Sequence, residues 1–116
     1  MGNDRVVTGA GADAINGDLD DDYLDGGPGN DNLIGGSGGD TLAYASHTAG
    51  VTVNLGTNQQ TTQTTGNGQS GENDLVAQFE YVLGGSGNDT LTGDGNGNFI
   101  SGGLGGDVIN GGAGSD

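Results

Sequence analysis

Five aspartates stand nine residues apart at the start of this chain: Asp4, Asp13, Asp22, Asp31 and Asp40. Two residues after each comes an aliphatic side chain, in turn Val6, Ile15, Leu24, Leu33 and Leu42. The beat returns near the end. There Asp89, Asp107 and Asp116 are in phase, Asn98 fills the slot between the first two, and Val82, Leu91, Ile100 and Ile109 keep the aliphatic place. Carboxylates at a fixed interval among glycines present hard oxygen ligands, and Ca2+ takes about six to eight of these from carboxylates and carbonyls. One short loop cannot supply so many, so two loops must share an ion.

The elements that would position those ligands follow from the unit itself, G-G-x-G-x-D-x-U-x, with U aliphatic. GGPGNDNLI (26–34), GGSGGDTLA (35–43), GGSGNDTLT (84–92) and GGLGGDVIN (102–110) match it throughout. GGAGSD (111–116) matches as far as it runs, TGAGADAIN (8–16) lacks only the first glycine, and GDLDDDYLD (17–25) and GDGNGNFIS (93–101) are degenerate. Each unit divides into a loop, whose glycines let carbonyls turn toward a common point, and a short strand. In the strand x-U-x the aliphatic residue points inward and its neighbours outward.

Composition agrees. The formal charge is −15 with one arginine and no lysine, so nucleic acid is a poor partner, as is an anionic membrane surface, and cations are the natural one. Apolar residues are 29% and there are 29 glycines in 116 residues, too little for a conventional core of this size. Cysteine is absent, which removes disulfides and thiolate metal sites. No apolar run is long enough to insert in a membrane. The chain opens within one motif (MGND) and closes within another (GGAGSD), which reads as a fragment of a larger parent protein with an added Met.

The nonapeptide is the repeat of calcium-binding RTX proteins, and the sequence resembles an RTX (repeats-in-toxin) β-roll over most of its length. The resemblance implies an all-β, right-handed parallel β-roll: two short-stranded parallel sheets, two nonapeptides per turn, and Ca2+ between loops one full turn apart. In that family the lower loop gives two carbonyls and its Asp, and the upper loop likewise. Carried onto this chain, Gly9, Gly11 and Asp13 would pair with Gly26, Pro28 and Asp31. Asp18, Asp20 and Asp22 would pair with Gly35, Ser37 and Asp40. Gly85, Gly87 and Asp89 would pair with Gly102, Leu104 and Asp107. Asp94, Asn96 and Asn98 would pair with Gly111, Ala113 and Asp116, a weaker site because one carboxylate is lost. A half-built site would link Asp4 to Gly17, Leu19 and Asp22. Asp31 lacks an in-phase upper partner unless the insert provides one. About four to six calcium ions are implied, which would offset much of the −15 and couple folding to binding.

The two blocks are out of phase, so the chain divides into a first block (1–43), an insert (44–75) and a second block (76–116), all within one continuous domain. In the insert, GVTVNL (50–55) alternates like a short strand, and 56–73 is polar and glycine-bearing and reads as a long loop. Tyr81 and Phe99, two units apart, should be neighbours on one sheet face, and the insert is expected to pack over them. Arg5 and Tyr23 share the same spacing, though a solvated arginine is the expectation. His47, the one histidine, reads as a solvated turn residue. DLDDD (18–22) and DGNGN (94–98) open like EF-hand loops, but Tyr23 and Phe99 stand where that motif needs glycine, and Gly29 and Gly105 where it needs glutamate.

No zinc helix, nucleophile elbow or phosphate loop is present, so the chain is read as a module and not as an enzyme. By resemblance it is secreted through type I machinery, extracellular or at the cell surface, where it folds on calcium and supports a larger RTX protein. The alternative is an adhesin segment recognising a carbohydrate or another surface through its insert or aromatic face. An ice-binding threonine row is absent from the third loop positions (Ala10, Leu19, Pro28, Ser37, Ser86, Gly95, Leu104, Ala113).

Overall fold

Strands of three to six residues alternate with glycine-bearing turns because the sequence offers one inward aliphatic residue per unit between glycine-rich loops. A computed structural model describes residues 2–56 and 64–116, and among them every regular element is a strand. In chain order these are β1 (Arg5–Val7), β2 (Ala14–Leu19), β3 (Tyr23–Asp25), β4 (Asn32–Ser37), β5 (Thr41–Ala43) and β6 (Val51–Asn54). They continue with β7 (Thr64–Gln69), β8 (Asp74–Ala77), β9 (Tyr81–Leu83), β10 (Thr90–Thr92), β11 (Phe99–Ser101) and β12 (Val108–Asn110).

Within the blocks alternate strands go to alternate sheets, as a roll of two units per turn requires. One sheet runs β1-β3-β5-β9-β11 and the other β12-β10-β6-β7-β8-β4-β2. There the parallel register steps by one turn of two units: Val6 opposite Leu24, Ile15 opposite Leu33, Val82 opposite Ile100, Leu91 opposite Ile109. The fold is the all-β roll of parallel strands that the repeat implies. Its aliphatic column forms the core, with Leu24, Leu33, Leu42, Val53, Val76, Val82 and Leu91 almost fully buried. Tyr44, Phe79 and Leu55 join the same cluster, so the insert and its flanks contribute the bulk that the repeats lack. Ile109 keeps the inward position but stays 49% exposed, because β12 is the last strand of its sheet.

The insert departs from expectation. Its first strand is present as β6, but the stretch read as a polar loop (56–73) contributes β7, which pairs antiparallel with both β6 and β8. The larger sheet is therefore not purely parallel. Side-chain bonds fix this hairpin: the main-chain N–H of Asn54 donates to Asn67 Oδ1 at 2.7 Å, and Asn67 Nδ2 donates to the Asp74 carbonyl. Residues 57–63 of that loop lie outside the described residues.

Candidate metal centre

The loops stack as the strands do. Down each edge of the roll the main-chain N–H at the acid position of one loop donates to the carboxylate of the loop above. Asp4 reaches Asp22 Oδ1 at 2.8 Å, Asp13 reaches Asp31 at 2.9 Å, Asp22 reaches Asp40 at 2.9 Å and Asp89 reaches Asp107 at 3.0 Å. Asn98 donates to Asp116 Oδ1 at 2.9 Å. Asp22, Asp31 and Asp40 thus spend one oxygen on the backbone of the neighbouring loop and keep the other for the loop interior, whereas Asp89 Oδ2 accepts from the Gly85 N–H of its own loop at 2.9 Å.

That second oxygen is where a cation fits. Oδ2 of Asp22, Asp31 and Asp40 is buried with no hydrogen-bond partner, a costly condition for a carboxylate unless something positive meets it. Burial raises the carboxyls of Asp31 and Asp40 above their ordinary value, more than the main-chain donors from Asp13 and Asp22 lower them. Among the described residues no group of three or more carboxylate or imidazole side chains converges on a metal position. A cation here must take further oxygens from the backbone, and the loops are built for that. The Gly9 carbonyl oxygen would lie 2.7 Å from a Cβ on Gly27, whose φ is +75°.

The expected pairs are brought together. Gly11 donates to the Pro28 carbonyl at 3.1 Å, and Thr8 Oγ1 donates to that of Gly26. Asp20 donates to Ser37 at 3.0 Å, and Asp18 pairs with Gly36, one residue from Gly35. Leu104 donates to Gly85 at 3.2 Å, beside the Gly87 and Gly102 turns, and Ala113 donates to Asp94 at 3.1 Å, beside Asn96 and Gly111. A carbonyl has two lone pairs, so each of these acceptors retains one. The side chains of Asp18 and Asp20 turn away from the loop interior, to Asn16 Nδ2 and to the Gly2 N–H. Gly17 lies against the Asp22 carboxylate, and the Leu19 side chain is exposed. Asn98 differs from the acids in kind: its Oδ1 accepts from Asp94, and its Nδ2 is buried without a partner. Its Oδ1 takes the place that Oδ2 has at Asp22 and Asp31, and an N–H donor stands where those acids accept from the loop below.

Three features are new. Asp74 is the upper partner that Asp31 needed, accepting from Asp31 at 2.8 Å, with Leu33 opposite Val76. The signal was Asn73-Asp74-Leu75-Val76, which repeats the N-D-x-U ending of a unit. Glu80 fills the same role for Asp40 at 2.9 Å, while Val51 occupies the slot beneath Asp89 and brings no acid. Burial raises the carboxyls of Asp74 and Glu80 too, and pushes the Tyr44 hydroxyl, which donates to Asp74 Oδ2, well above its usual value.

One local expectation fails. His47 is not solvated: it is buried, its Nε2 lies 3.0 Å from Glu72 Oε2, and its ring packs edge-on to Tyr44 at 5.1 Å. Arg5 is exposed, and its guanidinium also sits 4.7 Å over the Tyr23 ring two units on.

With loops, register and buried carboxylates in place, the family follows. The chain matches the RTX calcium-binding nonapeptide repeat, in four copies, over residues 1–33 and 81–116, more than half its length. It belongs to that family and is a calcium-binding module. No curated protein and no solved structure matches it.

Proposed function

We propose that the module folds on calcium outside the cell and stabilises a larger secreted parent protein. The observation that carries this is the set of buried, unpartnered oxygens on Asp22, Asp31 and Asp40. Bound calcium would supply the counter-charge those oxygens lack. The ions would be held by Asp13 with Asp31, Asp22 with Asp40, and Asp89 with Asp107, each pair joined by carbonyls of its two loops. Asp94 with Asp116 would form a weaker site, and Asp4 with Asp22 a partial one. The loops hold their shape by carboxylate-to-backbone bonds, and the strands wait on the loops, so the ladder closes only when like charges are screened.

In the low calcium of a cytoplasm the same −15 chain stays extended, which suits export, and higher calcium outside draws it shut. Far-UV circular dichroism during calcium titration of the chelator-stripped chain tests this. The expected outcome is a cooperative coil-to-β change with calcium that magnesium does not produce. Stable β structure in chelator would overturn it. A second reading, surface recognition, is favoured by one observation: Tyr81 and Phe99 are uncovered among the described residues, contrary to the expectation that the insert packs over them.

A further inference from the structure

The first outward position of each strand in the five-stranded sheet forms one row: Arg5, Tyr23, Thr41, Tyr81 and Phe99, in direct register across β1, β3, β5, β9 and β11. At one end of the row a cation already sits on a ring, the Arg5 guanidinium 4.7 Å over Tyr23. At the other end Tyr81 and Phe99 hold their ring centroids 6.0 Å apart, 40% and 62% exposed. These rings line an open groove of about 500 Å3 together with Gly38, Gly39, Glu80, Asn98 and Asp116.

We propose that this groove docks a basic peptide segment of a partner protein, seating an arginine side chain on the Tyr81–Phe99 rings between Glu80 and Asp116. The argument is complementarity of charge and shape. Exposed ring faces attract cations, and a planar guanidinium does this best. The carboxylates of Glu80 and Asp116, each with one oxygen already accepting from the backbone, add to that attraction. The glycines of the lining let a backbone or planar group approach closely. The chain has no cation of its own to spare, for its one arginine is already stacked on Tyr23. About four to six calcium ions would still leave the −15 chain net negative, so anionic partners are repelled. Asp116 is shared with the weaker calcium site, so in the calcium-loaded chain the rings and Glu80 carry most of the attraction.

The test is an NMR titration of the calcium-loaded chain with an arginine hexapeptide at fixed ionic strength, repeated with Tyr81→Leu/Phe99→Leu. Leucine keeps apolar bulk at these exposed places and removes the ring faces. The expected result is shifts centred on Tyr81, Phe99 and Glu80, and an affinity lower by about five-fold or more in the double variant. Equal affinity in the double variant would mean diffuse charge attraction and would overturn the proposal, as would no binding. Cellopentaose binding to the ring pair while the peptide does not would also overturn it, in favour of a saccharide. If the double variant fails to fold on calcium, Phe99→Leu alone gives the same comparison, because that ring is the more exposed of the two.

Discussion

The main-chain N–H of Asp31 donates to the carboxylate of Asp74 at 2.8 Å, across 43 residues of chain. Inside the blocks the same bond spans 18 residues, as between Asp22 and Asp40. The insert therefore returns to the ladder and supplies a rung of its own. Asp74 also accepts from Tyr44 at 2.9 Å, so one buried carboxylate ties the first block, the block's exit and the hairpin together.

Replacing Asp74 with Ala strands two buried donors, the Asp31 amide and the Tyr44 hydroxyl. Each unsatisfied donor costs about 1–3 kcal/mol, so Asp74→Ala should lower the stability of the calcium-loaded fold by about 2–6 kcal/mol in denaturant unfolding. Asp74→Asn keeps an acceptor for Asp31 and should lose markedly less. Equal loss in both variants would show that charge and not hydrogen bonding is what counts there.

Glycines of the same motif should respond in opposite ways. Gly27 has φ +75°, and a Cβ there would meet the Gly9 carbonyl oxygen at 2.7 Å. Gly27→Ala is therefore expected to cost about 1–3 kcal/mol and to raise the calcium midpoint. A Cβ on Gly9 meets nothing within 4 Å, and its φ is not left-handed. Gly9→Ala should be neutral or slightly stabilising while leaving its carbonyl in place. Comparing thermal unfolding of the two at saturating calcium checks the contrast.

Acid should act on the apo and calcium-loaded states with opposite signs. Burial raises the carboxyls of Asp31, Asp40, Asp74 and Glu80 in the cation-free fold from ordinary values of 3.8 for Asp and 4.5 for Glu. The folded state then binds protons more tightly than the unfolded one. This contribution to stability is fully present below those ordinary values and is lost as pH rises through the raised ones. The chelated chain should gain β structure on acidification from neutral pH, while its calcium midpoint climbs because ligands must be deprotonated. Loss of structure in chelator as pH falls would contradict this sign.

Core substitutions should grade with position in the stack. Leu42 is fully buried mid-roll, and Leu42→Ala is expected to cost about 2–5 kcal/mol. Ile109 has the same place in its unit but is 49% exposed at the end of its sheet. Ile109→Ala should cost under about 1 kcal/mol by the same unfolding measurement.

The legible part of this molecule was the part whose neighbours are a fixed distance away in sequence. Asp13 and Asp31, or Leu91 and Ile109, are partners because one turn is 18 residues, and a period can be read without coordinates. Partnership across the insert obeys no period: Asp40 meets Glu80 across 40 residues and Val51 meets Asp89 across 38. The β7 strand was hidden for a related reason. Thr64–Gln69 carries no inward aliphatic column, and its pairing depends on Asn67 reaching Asn54 and Asp74. His47 looked solvated because its partner, Glu72, is 25 residues away in a stretch with no regular pattern. In the metal centre, the acids in register were visible from their spacing, whereas Asp74 shows only the tail of the motif.

Seven strands on one wall face five on the other. Adjacent strands are about 4.8 Å apart, so one wall is longer by two spacings, on the order of 10 Å. The extra length lies where β6, β7 and β8 stand between β10 and β4. The insert is thus a spacer on one wall only, and its span is set by a strand count. Shortening the β7 hairpin would change the spacing of the two blocks along that wall without touching a single repeat.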